Sequence, residues 1–191
     1  MAPGRFLLRQ LLRLCKVYDL EEPDMPLSFL PGILTPELTD LTPELLENRG
    51  IHLLMMDFDN TIVPYTTDLP TEKMARWLAE MNASPVKIAI VSNSKNQRLV
   101  RFCEKYHLDY IMRAHKPSPR GVRECMVRFG FPPEASALVG DQIFTDTLAA
   151  NLAGVTPILV RAIHNHNFWL KARHVLELPF IFAARKRRIT K

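Results

Sequence analysis

The run Ile51 to Met56 carries no formal charge and leads directly into Asp57-Phe58-Asp59. So short and continuous an apolar stretch reads as a strand buried on both faces, and such a strand needs helices above and below its sheet. The rest of the chain supplies them. Met74, Trp77, Leu78 and Met81 recur at helical spacing, and Val86 to Val91 forms a second apolar run. A helix is expected from about 95 to 105, then a short strand from Tyr110 to Met112. Ser118-Pro119 opens a helix with Val122, Cys125, Met126 and Phe129 on its buried face and Gly130 as its stop. Ala135 to Val139 and Val155 to Val160 read as strands flanking a helix that stops at Gly154. Met55, Met56, Trp77 and Phe129 are expected in the core. Five strands separated by helices predict an α/β fold with a doubly wound, parallel, five-stranded sheet. Such sheets bind ligands beyond the carboxyl ends of their strands, so the residues at those ends carry the functional argument.

They form a constellation. The first strand opens into Asp57-Phe58-Asp59-Asn60-Thr61, where two carboxylates one residue apart can converge on one point. Alone, an Asp-x-Asp is no more than the polar start of a loop. Here the second strand ends in Ser92-Asn93, Lys116 follows the third, and the fourth ends in Gly140-Asp141 with Asp146 shortly after. A nucleophile, a hydroxyl, an ammonium and further acids thus stand in order at successive strand ends. Asn93 and Thr61 can serve a site there or merely cap the turns after their strands.

That ordered set, Asp57-x-Asp59-x-Thr61, Ser92, Lys116 and Gly140-Asp141 with Asp146, resembles the four motifs of haloacid dehalogenase-like phosphatases, over about residues 50–160. The resemblance implies a Rossmann-like core and Mg²⁺ held by the carboxylates of Asp57 and Asp141 and the backbone carbonyl of Asp59. It also implies phosphoryl oxygens held by Ser92, Asn93 and Lys116. Asp57 would be the nucleophile and Asp59 the acid and base. Thr61 and Asp146 would stand behind these groups, with Asp146 orienting Lys116 or contacting a metal-bound water. The acid at position 59 is similar to the phosphatase and phosphomutase branches, because transport ATPases carry Thr there and dehalogenases lack an acid. More narrowly, the chain resembles the YqeG-type, phosphatidylglycerophosphate phosphatase-like branch of subfamily IIIA. The residues that carry this are a Leu-x-Pro-rich lead-in, Asp57 to Val63, Ala114-His115-Lys116-Pro117 and Gly140 to Asp146. The expected substrate is then a phosphorylated lipid headgroup, with a small soluble phosphorylated metabolite as the alternative. Only 34 residues separate Asp57 from Ser92, and 24 separate Lys116 from Asp141. A loop and one helix use up each interval, leaving no room for a separate cap domain.

The ends of the chain bear on location. Its net charge of +5 is unevenly spread: residues 1–18 hold Arg5, Arg9, Arg13 and Lys16 without an acid, and residues 171–191 hold seven bases against Glu177. The body between is net acidic. That distribution disfavours a nucleic-acid binder and points to an anionic surface met at the termini. Residues 5–18 suit an amphipathic helix with those bases on one face, which would lie in a membrane interface or pack on its own core. The basic C-terminal run Arg185-Lys186-Arg187-Arg188 matches it. No run is long enough to span a membrane. The three cysteines, Cys15, Cys103 and Cys125, have no metal-type spacing and read as reduced, packed thiols. A cytoplasmic protein, peripheral on a membrane, is expected, though the Arg-rich start also resembles an organelle transit peptide. The organisation expected is a helix and Pro-rich lead-in over 1–50, a catalytic core over 51–165 and a C-terminal helix and basic tail over 166–191. Leu-Thr-Pro-Glu-Leu occurs twice in the lead-in, at 34–38 and 41–45, and each copy reads as a helix start. His164 and His166 are expected in a loop, and His115 at the substrate entrance. The rival from another class is a non-catalytic binding module whose basic ends dock RNA or a protein. Crowded carboxylates count against it.

Overall fold

The computed structural model describes residues 28–67 and 69–163. The expected helix 5–18, the C-terminal basic tail, His164, His166 and Cys15 lie outside the described residues. Six parallel strands make one sheet in the order β1-β6-β5-β2-β3-β4: β1 (Ile33–Thr35), β2 (Leu53–Met56), β3 (Lys87–Val91), β4 (Asp109–Ile111), β5 (Ser136–Gly140) and β6 (Thr156–Val160). The helices are α1 (Pro43–Glu47), α2 (Glu72–Ala83), α3 (Gln97–Tyr106), α4 (Arg120–Phe129) and α5 (Leu148–Ala153).

The sheet has one strand more than the sequence predicts. The sixth is β1, three residues between Gly32 and Pro36, paired with β6 in parallel. So short a run inside a Pro-rich segment has no periodicity to betray it, and only the backbone edge of β6 gives it a partner. The two Leu-Thr-Pro-Glu-Leu copies part company here. Thr42 caps α1 as expected, accepting from the Leu45 amide at 3.2 Å, with Pro43 in the first turn. Thr35 instead ends β1, and a short 3₁₀ turn begins at Leu38, so the first copy does not start a helix at its threonine.

β2 is buried at every position, as its unbroken apolar run requires. Its alternate residues feed two cores. Leu54 and Met56 meet Trp77, Leu78 and Met81 of α2 and Leu99 and Phe102 of α3 on one face. Leu53 and Met55 meet Val122, Cys125 and Met126 of α4 and Ala149, Ala150 and Ala153 of α5 on the other. Phe129 is only half-buried at the margin of that second core, where it carries the Lys87 ammonium 4.8 Å above its ring. Cys103 and Cys125 are buried, and desolvation pushes both thiols up to about 12. The chain between Asp57 and Ser92 contains a loop and α2, so among the described residues no cap domain stands over the sheet's carboxyl edge. Among the described residues, no helix is long and apolar enough to cross a membrane.

Chain order turns at β2: β3 and β4 lie to one side of it, β5 and β6 to the other. This is the topological switch at which α/β sheets open a crevice. Register then aligns the strand ends, because Met56 pairs with both Ile90 and Val139. The Asp57 amide continues the ladder onto the Val139 carbonyl at 2.9 Å, and the Ser92 amide continues it onto Ile111 at 3.0 Å.

Candidate active site

Four ionisable side chains from three loops meet beyond these strand ends. Lys116 Nζ donates to Asp57 Oδ1 at 2.6 Å and lies 2.7 Å from Asp146 Oδ1, the latter an ion pair outside hydrogen-bond angles. Asp57, Asp141 and Asp146 are all buried, and each offers a carboxylate oxygen within 4.8 Å of the others'. Around Asp141 stand Asn60 Nδ2 and the Thr61 hydroxyl, both donating at 3.4 Å.

The local backbone is shaped to bring these groups in. Asp146 lies in a π-helical turn, Ile143–Thr147, and its Oδ2 accepts from the Gln142 amide at 3.1 Å. That turn passes so close to β5 that a Cβ on Gly140 would sit 2.3 Å from Asp146 Cγ. Only glycine permits the approach. Asn60 takes the left-handed region (φ 67°), tolerable for asparagine, and folds the loop back so that its amide donates to the Val63 carbonyl at 2.7 Å. The Lys116 loop is held by Asn93: its side-chain carbonyl accepts from the Lys116 amide at 2.6 Å and its NH₂ donates to the Lys116 carbonyl at 2.8 Å.

The electrostatics follow from burial. Desolvation raises the Asp57 carboxyl to about 6 against the opposing pull of Lys116, and Asp146 pushes the same way as burial. Burial alone would depress the Lys116 ammonium, but Asp146 and Asp57 beside it hold it well above its ordinary value. Three acidic side chains converge on one ammonium, so by formal charge the buried site is net negative. Clustered hard oxygen donors with surplus negative charge are what a divalent cation fits, and Asp57, Asp141 and Asp146 are the residues placed to hold it.

Most of the residues expected at this site meet in it, and the structure adds detail to each. Asp57, Lys116, Asp141 and Thr61 meet as described. Asp146, expected to orient Lys116 or contact a metal-bound water, lies against Lys116 and also belongs to the acidic trio. Asn93, expected to face phosphate, commits both ends of its amide to the Lys116 backbone. Ser92 is buried at the end of β3, and its Oγ accepts from the Ser94 amide at 3.1 Å. The side chain of Asp59 stays out of the trio and pairs with Arg98, whose Nη2 is 2.6 Å from Asp59 Oδ1.

Arg98 is the participant that sequence reasoning missed. It donates from Nη1 to the Tyr65 carbonyl at 2.7 Å and lies 4.9 Å over the Phe58 ring. Burial raises the Asp59 carboxyl, and Arg98 is the chief influence lowering it. An arginine in the first turn of an amphipathic helix looks like a solvated charge until the fold brings that turn beside the first strand's loop.

A parallel-sheet enzyme with an acidic centre at the topological switch is the class that fold and site define. The family comparison agrees. The sequence profile of the haloacid dehalogenase-like hydrolases matches residues 64–160, beginning just past the Asp57 to Val63 loop. Over 132 residues the chain is 31% identical to "Probable phosphatase YqeG" of Bacillus subtilis (strain 168), covering 69% of this chain and 77% of that protein. The chain belongs to the haloacid dehalogenase-like hydrolases. Similar solved structures include the cobalt-bound deoxy-D-mannose-octulosonate 8-phosphate phosphatase of Haemophilus influenzae, at 12% identity and a TM-score of 0.48, covering 65% of this chain and 75% of that one. The corresponding phosphatase of Yersinia pestis is 16% identical with a TM-score of 0.48, covering 68% and 73%.

Proposed function

We propose that this phosphatase hydrolyses a phosphomonoester through an aspartyl-phosphate on Asp57, that its metal is Mg²⁺, and that its substrate is the lipid phosphatidylglycerophosphate. The observation that carries the reaction type is the buried meeting of Asp57 with Lys116 in the acidic cluster. A carboxylate there has no need of so costly a setting unless its charge is used.

The ion would be held by Asp57, Asp141 and Asp146, with the Asp59 backbone carbonyl as a further oxygen; when bound it neutralises phosphoryl charge. Lys116, fixed by Asn93 from one side and Asp146 from another, presents a permanent positive charge to the phosphoryl oxygens. The Ser92 hydroxyl supplies a further donor. Asp57 attacks phosphorus, the bond to the ester oxygen breaks, and Asp59 gives that oxygen its proton. Water then attacks the phosphoryl group, Asp59 takes the proton back, and inorganic phosphate leaves with the Asp57 carboxylate restored. Asp59 must change protonation twice per turnover, which fits a carboxyl less buried than Asp57 and balanced between desolvation and Arg98.

Support for a lipid substrate is the carboxyl edge of the sheet, left uncapped by the described residues, together with the likeness to the YqeG-type branch and the basic ends of the sequence. An uncapped site can be pressed against a headgroup that a cap would exclude. The test is phosphate release from a panel of phosphorylated lipids, sugars and nucleotides, with chelator and then with Mg²⁺ or Ca²⁺ restored. Phosphatidylglycerophosphate in anionic vesicles should be the best substrate, with activity lost in chelator and regained with Mg²⁺ but little regained with the larger Ca²⁺. Preference for a soluble metabolite would overturn the lipid assignment, and full activity after exhaustive metal removal would overturn the mechanism.

A further inference from the structure

Beside the catalytic loops lies an open cleft of about 930 Å³ lined by Asn93, Ser94, Lys95, Asn96, Arg113 and His115. Its walls are the two loops that follow β3 and β4, and these are tied together. The Ala114 amide donates to the Ser92 carbonyl at 3.0 Å, the Arg113 amide to the Ser94 carbonyl at 3.3 Å, and Asn93 clamps the Lys116 backbone. Each loop therefore serves two places at once. Ser92 and Lys116 turn inward and are buried, whereas their neighbours Asn93, Lys95, Arg113 and His115 are exposed along the cleft. Arg113 and His115 reach it from left-handed backbone, at φ 51° and 56°, on either side of the buried Ala114. Histidine tolerates that region, but arginine has no side chain that favours it, so the loop holds Arg113 against a steric cost. It is also braced from below: a Cβ on Gly121, in the first turn of α4, would sit 2.5 Å from the Ala114 Cβ.

The charge in the cleft is opposite to that of the centre next to it. No carboxylate lines it, and neither Lys95 nor Arg113 has a side-chain partner among the described residues. A cationic recess sharing its walls with the residues that hold the phosphoryl group is suited to a second anion on the same substrate. We propose that this cleft is a subsite for a second phosphate of the substrate, separate from the one that is cleaved. The proposal rests on the phosphomonoesterase reading above and deepens it. Its recognition chemistry is shared by the diester phosphate of a lipid headgroup and the second phosphoryl group of a soluble bisphosphate.

The experiment compares wild type with Lys95→Gln/Arg113→Gln, and with Arg113→Lys, on three substrates. These are short-chain phosphatidylglycerophosphate, glycerol bisphosphate and p-nitrophenyl phosphate, the last having no second anion. The double variant should lower the kcat/KM ratio of a doubly anionic substrate to the aryl phosphate by at least about tenfold, the scale of one charge-assisted hydrogen bond. The loss should fall mainly in KM, and Arg113→Lys should keep most of the ratio. A loss on the lipid alone assigns the anion to the headgroup; a loss on both assigns it to any second phosphate. An unchanged ratio, or an equal loss on all three substrates, would overturn the subsite. Calorimetric binding of glycerol bisphosphate, with and without the two substitutions, reads the subsite even if the wild type turns over none of the three esters. That failure would count against the phosphatase reading and not against the cleft.

Discussion

Asp57 and Asp59 are the same residue type, two apart on one strand end, and the fold treats them oppositely. The Asp57 side chain is 9% exposed and answers to Lys116, itself 2% exposed. The Asp59 side chain is 23% exposed and answers to Arg98, which also lies over the Phe58 ring. Both carboxyls are raised by burial; Lys116 opposes the rise at Asp57, and Arg98, with Lys116 behind it, opposes the rise at Asp59. The difference lies in what surrounds the pair. Asp57 sits among further carboxylates with surplus charge, a setting for a metal-assisted nucleophile. Asp59 has one adjustable partner at the rim of the site, a setting for a group that must gain and lose a proton.

The largest effect should come from removing the charge of Asp57. Asp57→Asn keeps shape and loses the nucleophile, so turnover on p-nitrophenyl phosphate should fall at least about a thousandfold, roughly 4 kcal/mol in barrier, with the circular dichroism spectrum retained. Residual turnover within about tenfold of wild type would assign the nucleophile elsewhere.

Next in size is the cost of stripping the buried cluster of its cation. Lys116→Met leaves three carboxylates without a counter-ion, and urea denaturation in chelator should show a loss of about 3–5 kcal/mol. Added Mg²⁺ should restore part of it. A loss under about 1 kcal/mol would mean that the cluster is neutral in the folded protein.

The smallest change should follow Arg98→Ala, which removes a less buried pair at a cost of about 1–2 kcal/mol. Its signature is in pH and not in stability. Arg98 is the chief influence lowering the Asp59 carboxyl, so without it that carboxyl rises further above its ordinary value. The inflection belonging to Asp59 in the kcat profile should move to higher pH, and Arg98→Lys should bring it partly back. An unmoved profile would make Arg98 a structural brace for Tyr65 and Phe58 alone.

The apolar run before Asp57, the helical spacing of Met74, Trp77, Leu78 and Met81, and the acids and Lys116 at strand ends are local features. They were legible because strand burial and helix faces repeat with fixed periods. The order of the motifs also follows from sequence, since a parallel sheet places successive strand ends on one edge. What local pattern cannot encode is which neighbour a side chain finds across that edge. β1 exists because β6 leaves an open backbone edge, and the same pentapeptide beginning at Leu34 and at Leu41 diverges because only one copy meets that edge. Asn93 grips a loop 23 residues away, Arg98 reaches 39 residues back to Asp59, and Gly140 is glycine because Asp146 lies against it. These are contacts between distant segments, set by how the loops pack once the sheet has formed. Sequence thus determined five of the sheet's strands, their faces and the chemistry at their edge; tertiary packing decided the sixth strand and which charge each acid answers to, because an open edge, burial and counter-charge exist only after the chain has closed around them.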